Sequence, residues 1–258
     1  MQGAGRRCAG TAAAGARVPD LSFYKKQVRA DMQEPDMITE IAVFDPDVEG
    51  QQIELVYTQS VVAMIAALVL ACLVAGGLWA VADKSYLTLW LVAQATQTIV
   101  RLGIVQGYRR ASEEEKASPK WMLLFFVGAL VAGIIWGCLG LLFSFSWPVE
   151  YQTLTLLSMA GIVSGAIPTY AAVMSIYIAF MVPCILIPAQ SMLIYSSNLQ
   201  SNLGLILMLF AGVLVMIARN YNVSITRSLQ LRMENQSLIA SMRSANEELH
   251  AEMKVRES

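Results

Sequence analysis

Formal charge is almost missing from the middle of this chain. Between Lys120 and Arg219 only Glu150 carries one. A soluble core does not need so long an uncharged stretch. One membrane crossing takes about 20 mostly apolar residues, and this stretch holds several. Cysteine is sparse as well. Cys8, Cys72, Cys138 and Cys184 are scattered, with neither metal spacing nor a disulfide framework. They read as small packing residues. The one histidine, His250, lies in a polar C-terminal segment. A metal site or a Ser-His-Asp triad has too little material, so catalysis, a bound metal and a cofactor are not expected. The net charge of -1 leaves no basic field for nucleic acid. Finally, neither Gly nor Pro occurs from Val213 to Ser258, so nothing there breaks a helix.

What is present is apolar. Hydrophobic residues make up 56% of the 258 residues and charged residues 14%, with a mean hydropathy of +0.54. These values predict an all-α polytopic membrane protein in contact with lipid. Residues 1–36 begin with an Ala/Gly/Arg-rich run that has no apolar h-region, so they are not a secretory signal peptide. They read as a disordered tail, or as sequence upstream of a start at Met32 or Met37. Residues 37–59 form an acidic, then mildly amphipathic juxtamembrane segment. Six spans are expected within residues 60–219: 60–81, 85–107, 121–143, 152–173, 175–195 and 201–218. The turn between the fourth and fifth, near Tyr170 to Ser175, carries no charge, and a kinked or re-entrant element there is the alternative.

Lysine and arginine near span ends set the orientation. Arg109, Arg110, Lys116 and Lys120 cluster between the second and third spans, and Arg219 and Arg227 follow the sixth. The first connection has Lys84, and the third and fifth, SFSWPVEYQ and SSNLQSN, have neither residue. With six spans, both termini and the 109–120 loop fall in the cytoplasm. Trp79, Trp90, Trp121, Trp147, Tyr86, Tyr108, Tyr151, Tyr195 and Tyr221 lie near span ends, as an aromatic belt would.

Within the spans, Gly133 and Gly137 form one GxxxG pair, extended by Ala129. Gly161 and Gly165 form another. Both predict close helix packing, inside one bundle or between two copies. Gln94, Gln97 and Arg101 follow the spacing i, i+3, i+7 and share a helical face. An intramembrane charge marks a candidate functional site. The competing reading is that Arg101 snorkels to the headgroups beside Arg109, or pairs structurally. Gln190 and Ser191 are candidates for the same interior. Pro168, Pro183 and Pro188 are expected to kink the fourth and fifth spans. The sequons at Asn222 and Asn235 fall on the cytoplasmic side, where glycosylation is not expected.

After the sixth span comes SLQLRMENQSLIASMRSANEELHAEMKVRES. Leu231, Asn235, Leu238, Met242, Ala245 and Leu249 follow 4-3 spacing, as in a coiled-coil seam with Asn235 at an a position. Residues 220–258 therefore read as a long cytoplasmic helix, either a parallel homodimeric coiled coil or a single amphipathic helix.

The order of elements, with Leu231-Arg232, Glu234-Asn235, Leu238, Ala245-Asn246-Glu247, Leu249 and Ala251-Glu252 in the last helix, resembles a known family. It is similar to the N-terminal membrane-sensor region of bacterial sensor histidine kinases and related GGDEF or EAL receptors. There, such a signalling helix leads into the output domain. The resemblance implies two-component-type signal transduction at a bacterial inner membrane, with a histidine kinase or GGDEF receptor as partner. His250 does not sit in a phospho-acceptor box, and no ATP lid, GGDEF or EAL motif is present. The resemblance thus implies an input module without catalysis of its own, either a truncated receptor or a stand-alone partner. A small transporter or permease, or a structural membrane protein without a ligand, are the alternatives. Topology is directly testable. Reporter fusions after Asp83, Ser146 and Asn198 should read outside and a fusion after Arg219 inside, whereas a periplasmic signal at Arg219 overturns the arrangement.

Overall fold

The computed structural model describes residues 46–116, 118–142, 147–194 and 198–257. The expectations for residues 1–36, Cys8 and Tyr195 lie outside the described residues. Among the described residues eight helices follow one another: α1 (Pro46–Leu78), α2 (Lys84–Arg110), α3 (Glu113–Lys116), α4 (Lys120–Leu139), α5 (Val149–Gly165), α6 (Ile167–Tyr170), α7 (Met174–Ile194) and α8 (Asn198–Glu257). Six segments are long and apolar enough to cross a membrane: Gly50–Leu78, Lys84–Arg110, Lys120–Leu139, Val149–Tyr170, Met174–Leu193 and Ser201–Glu247. The all-helical, six-span architecture expected from the sequence is therefore present. An apolar exterior fits it. Val62, Leu73, Leu89, Ile99, Leu157 and Leu209 all face outward, as lipid-facing side chains do.

Some boundaries differ from expectation. α1 is one continuous helix from Pro46 through residues 46–59 of the segment read as juxtamembrane, and Val56, Tyr57 and Ser60 are already buried in the bundle. The span therefore begins about ten residues before Ser60. The uncharged break between the fourth and fifth spans is real. α5 stops at Gly165, α6 adds one turn carrying Pro168, and Ala171–Val173 reverse the chain into α7. Proline cannot donate to the preceding turn, which explains the break at this point.

The most extensive packing lies between α4 and α7. Glycine on one helix meets proline on the other. A Cβ on Gly133 would strike the Phe180 carbonyl oxygen and approach Pro183 Cγ to 2.9 Å. A Cβ on Gly137 would strike the Pro183 carbonyl oxygen and come within 2.8 Å of Ile187 Cδ1, while one on Gly140 would strike Pro188 Cβ. Pro183 and Pro188 lie inside α7, where neither can donate a backbone hydrogen bond, and the glycines of α4 face this stretch. The expected Gly133/Gly137 contact is thus intramolecular. The fourth-span pair behaves otherwise: nothing lies within 4 Å of a Cβ on Gly161 or Gly165.

Contacts between ends fix the connectivity in space. Tyr57 Oη donates to the Trp121 carbonyl at 2.9 Å, and Gln52 Nε2 donates to Thr226 Oγ1 at 2.8 Å. Asn222 Nδ2 donates to the carbonyls of Ala171 (2.9 Å) and Ala172 (2.8 Å). The start of α1, the α3–α4 region, the 171–173 turn and the middle of α8 therefore share one end of the bundle. α8 is unbroken for 60 residues, about 90 Å at 1.5 Å per residue. Its distal part carries exposed Leu231, Leu238, Ile239 and Met242.

The glycine contrast predicts a stability difference. Gly137→Val should destabilise the bundle by about 1–3 kcal/mol, the usual range for overpacking. Gly161→Val should be close to neutral in the same thermal-unfolding assay. Equal losses at both positions contradict the packing described.

Candidate functional site

The buried face of α2 is built from Leu87, Trp90, Gln94, Thr98, Arg101, Val105 and Tyr108. Steps of three and four keep these on one side of the helix. The ends of the series are apolar or aromatic and the middle is polar. Gln94 is 0% exposed and Arg101 5%. Arg101 does not snorkel: its guanidinium turns into the bundle. Nη1 donates to Tyr170 Oη at 2.8 Å. Its guanidinium carbon lies 5.0 Å from the Phe125 ring centroid and 5.4 Å from that of Tyr170. Gly128 makes room for the chain, since a Cβ there would stand 3.2 Å from Arg101 Nε.

Placing arginine mid-span costs about 2.5–3.5 kcal/mol on insertion scales. One desolvated cation–π contact returns about 2 kcal/mol, and a hydrogen bond to a charged group about 1.5–3 kcal/mol. The aromatic cradle and Tyr170 therefore offset the cost of the charge. They do not use all of its donors. Arg101 Nη2, both amide atoms of Gln94 and Gln97 Oε1 are buried without a hydrogen-bond partner. Gln97 Nε2 reaches Thr98 Oγ1 at 3.3 Å, and Thr98 Oγ1 donates to the Gln94 carbonyl at 2.8 Å.

These unpaired groups line a cavity of about 160 Å³. Trp136, Tyr170 and Phe180 supply its aromatic wall, and Ala63, Ala67 and Leu70 of α1 supply an apolar one. No Asp or Glu is among the lining residues. Trp90 supports the wall from behind, donating Nε1–H to the Ile135 carbonyl at 2.7 Å and meeting Trp136 edge-on at 5.5 Å. An aromatic chain leads away from the cavity. Tyr170 contacts Phe125 and Phe180 edge-on, Phe125 contacts Tyr57, and Tyr57 stacks on Tyr108 with centroids 3.9 Å apart.

The structure thus brings Gln94, Gln97 and Arg101 together, as their spacing predicts. It does not add the fifth-span candidates. Gln190 is exposed, and Ser191 Oγ donates to the Pro188 carbonyl of its own helix. Trp90 and Tyr108, read as belt residues, are buried. Thr98, Phe125, Trp136 and Tyr170 escaped sequence reasoning. Thr98 could have been found at i+4 from Gln94; the others come from different helices, which no local spacing reveals. Asn222 looked like a glycosylation sequon, yet its amide is spent on the 171–172 carbonyls.

On the terminal helix, Asn235 and Met242 are exposed along with Leu231 and Leu238. The Leu249 side chain lies outside the described residues. Cys72, Cys138 and Cys184 are unpaired. Among the described residues no group of His, Cys, Asp or Glu could hold a metal ion. Comparison with known proteins gives no match to a family model, a curated protein or a solved structure.

The pairing has a direct test. Tyr170→Phe, which keeps the buried charge and removes its hydrogen-bond partner, should destabilise the bundle by about 1.5–3 kcal/mol. Arg101→Lys should also be destabilising, because an ammonium carries a similar burial cost but lacks the planar fork that bonds Tyr170 while lying on the rings. Lysine that fully replaces arginine contradicts the pairing.

Proposed function

We propose that this chain is a membrane-embedded signal-input module, acting through its last helix on a kinase- or cyclase-type output. One observation carries the reading. The helix that forms the last span continues unbroken to Glu257, and Asn222 ties its middle to the turn that follows Tyr170. Tyr170 is also the partner of the cavity's Arg101. A change of occupancy at Arg101 acts on Tyr170, then on the 171–173 turn, then on the helix. No Gly or Pro after Gly212 offers a hinge to absorb the motion.

Orientation follows from charge. Arg109, Arg110, Lys116, Lys120, Arg219 and Arg227 flank the bundle end that also holds the 171–173 turn, and the positive-inside rule puts that end in the cytoplasm of a bacterial inner membrane. The distal helix then projects into the cytoplasm. Its exposed Leu231, Leu238 and Met242 form the seam of a parallel homodimer with Asn235 setting register. This is the arrangement in which a histidine kinase or GGDEF-type receptor, which the helix resembles, takes its input. A transporter reading draws only on the polar cavity and leaves the long helix unexplained.

Single-cysteine crosslinking in membranes, on a background lacking native cysteines, tests the dimer. Yields should peak at 238, 242, 245 and 249 and dip between them. A flat profile, or a chain that stays monomeric in native membranes, removes the input reading.

A further inference from the structure

The Gln94–Arg101 cavity combines features that a packing role does not need. Gln94 is fully buried, and neither its oxygen nor its nitrogen has a partner, so no flip of the amide improves matters. Arg101 Nη2 is in the same position. Each buried polar group left unpaired costs about 1–3 kcal/mol. Leucine at 94 would pack without that cost. No carboxylate is among the residues lining the cavity to balance the guanidinium.

The shape adds a direction. Ala66 of α1 and Gly165 of α5 both line the cavity and are both exposed. The cavity therefore opens between these two helices. Ala66 lies in the span Gly50–Leu78 and Gly165 in Val149–Tyr170, so the mouth faces hydrocarbon rather than water. The run of small residues Ala63, Ala66 and Ala67 against Gly165 keeps it open. At about 160 Å³ the chamber resembles cavities of about 150 Å³ that hold a benzene-sized molecule.

We infer that this cavity binds the head of a monocarboxylate amphiphile that enters sideways from the bilayer. The carboxylate accepts N–H bonds from Arg101 Nη2 and Gln94 Nε2. The first methylenes lie against Trp136, Phe180 and Leu70, and the tail leaves between Ala66 and Gly165. One guanidinium matches a single negative charge; a phosphate dianion would find no second cation in the lining. That such a ligand is a signal rests on the input reading above. That it binds does not.

The experiment uses the full chain, purified in lipid nanodiscs, and measures radiolabelled decanoate binding by equilibrium dialysis. Decanoate should bind saturably at one site per chain, and unlabelled decanol or decyltrimethylammonium should compete poorly. Gln94→Leu, which leaves the Arg101–Tyr170 bond intact, should weaken binding at least about tenfold, the effect of removing one hydrogen bond to a charged group. Gly165→Leu narrows the mouth while keeping Arg101 and Gln94, and nothing lies within 4 Å of a Cβ at this position. It should fold normally and also weaken decanoate. Decanol competing as well as decanoate, or binding unchanged in both variants, overturns the proposal. Acetate competing as well as decanoate overturns the bilayer route and assigns the site to a carboxylate arriving from water. Decanoate that binds but leaves crosslinking at 238 and 242 unchanged supports the site and removes the input reading instead.

Discussion

A guanidinium inside a span must be solvated by protein, and much of this bundle is arranged around that requirement. Arg101 could have reached the headgroups, being about two turns from Arg109. It turns inward instead, onto Phe125 and Tyr170. That choice brings α2, α4 and α6 to one point. Tyr170 sits at the end of the one-turn helix α6, a place where backbone geometry is set by Pro168 on one side and the 171–173 turn on the other. The turn in turn depends on Asn222, whose amide serves two of its carbonyls. Contacts thus run from Arg101 inside the second span to Asn222 in the middle of the longest helix.

The α4–α7 interface, next to the cavity, is held together differently. Gly133, Gly137 and Gly140 admit α7 around Pro183 and Pro188. Such an interface leaves little room for sliding, because each glycine already meets a carbonyl or a ring at contact distance. α1 and α5 meet more loosely beside the cavity, with Gly161 and Gly165 facing open space. α1 and α5 do pack closely further along, where a Cβ on Gly77 would strike Leu154 Cδ2, so the open space is confined to the stretch beside the cavity. A ligand-responsive cavity is better placed in that stretch than at the α4–α7 interface.

Much of this was legible in the sequence. Six apolar runs, the uncharged turn near Tyr170 and the unbroken last helix all follow from residue types in order, because span length and helix breakers are local properties. Gln94, Gln97 and Arg101 could be grouped by helical periodicity alone. What could not be read was which way Arg101 points. Snorkelling and inward pairing use the same residues on the same helix, and only Phe125 and Tyr170, far away in sequence, decide between them. The same limit hid the difference between the two GxxxG pairs: Gly133 and Gly161 look alike until the prolines of α7 are placed opposite one of them. Aromatic residues near span ends were over-assigned to lipid for the same reason, as Trp90 and Tyr108 show.

The central claim is that Arg101 and Tyr170 act as one unit within the membrane. A double-mutant cycle on Arg101→Met and Tyr170→Phe, with unfolding free energies measured in bicelles, tests it most directly. The account predicts a coupling of about 1–3 kcal/mol, the range for groups sharing a charged hydrogen bond. Additive losses, agreeing within about 0.3–0.5 kcal/mol as independent sites do, would contradict it.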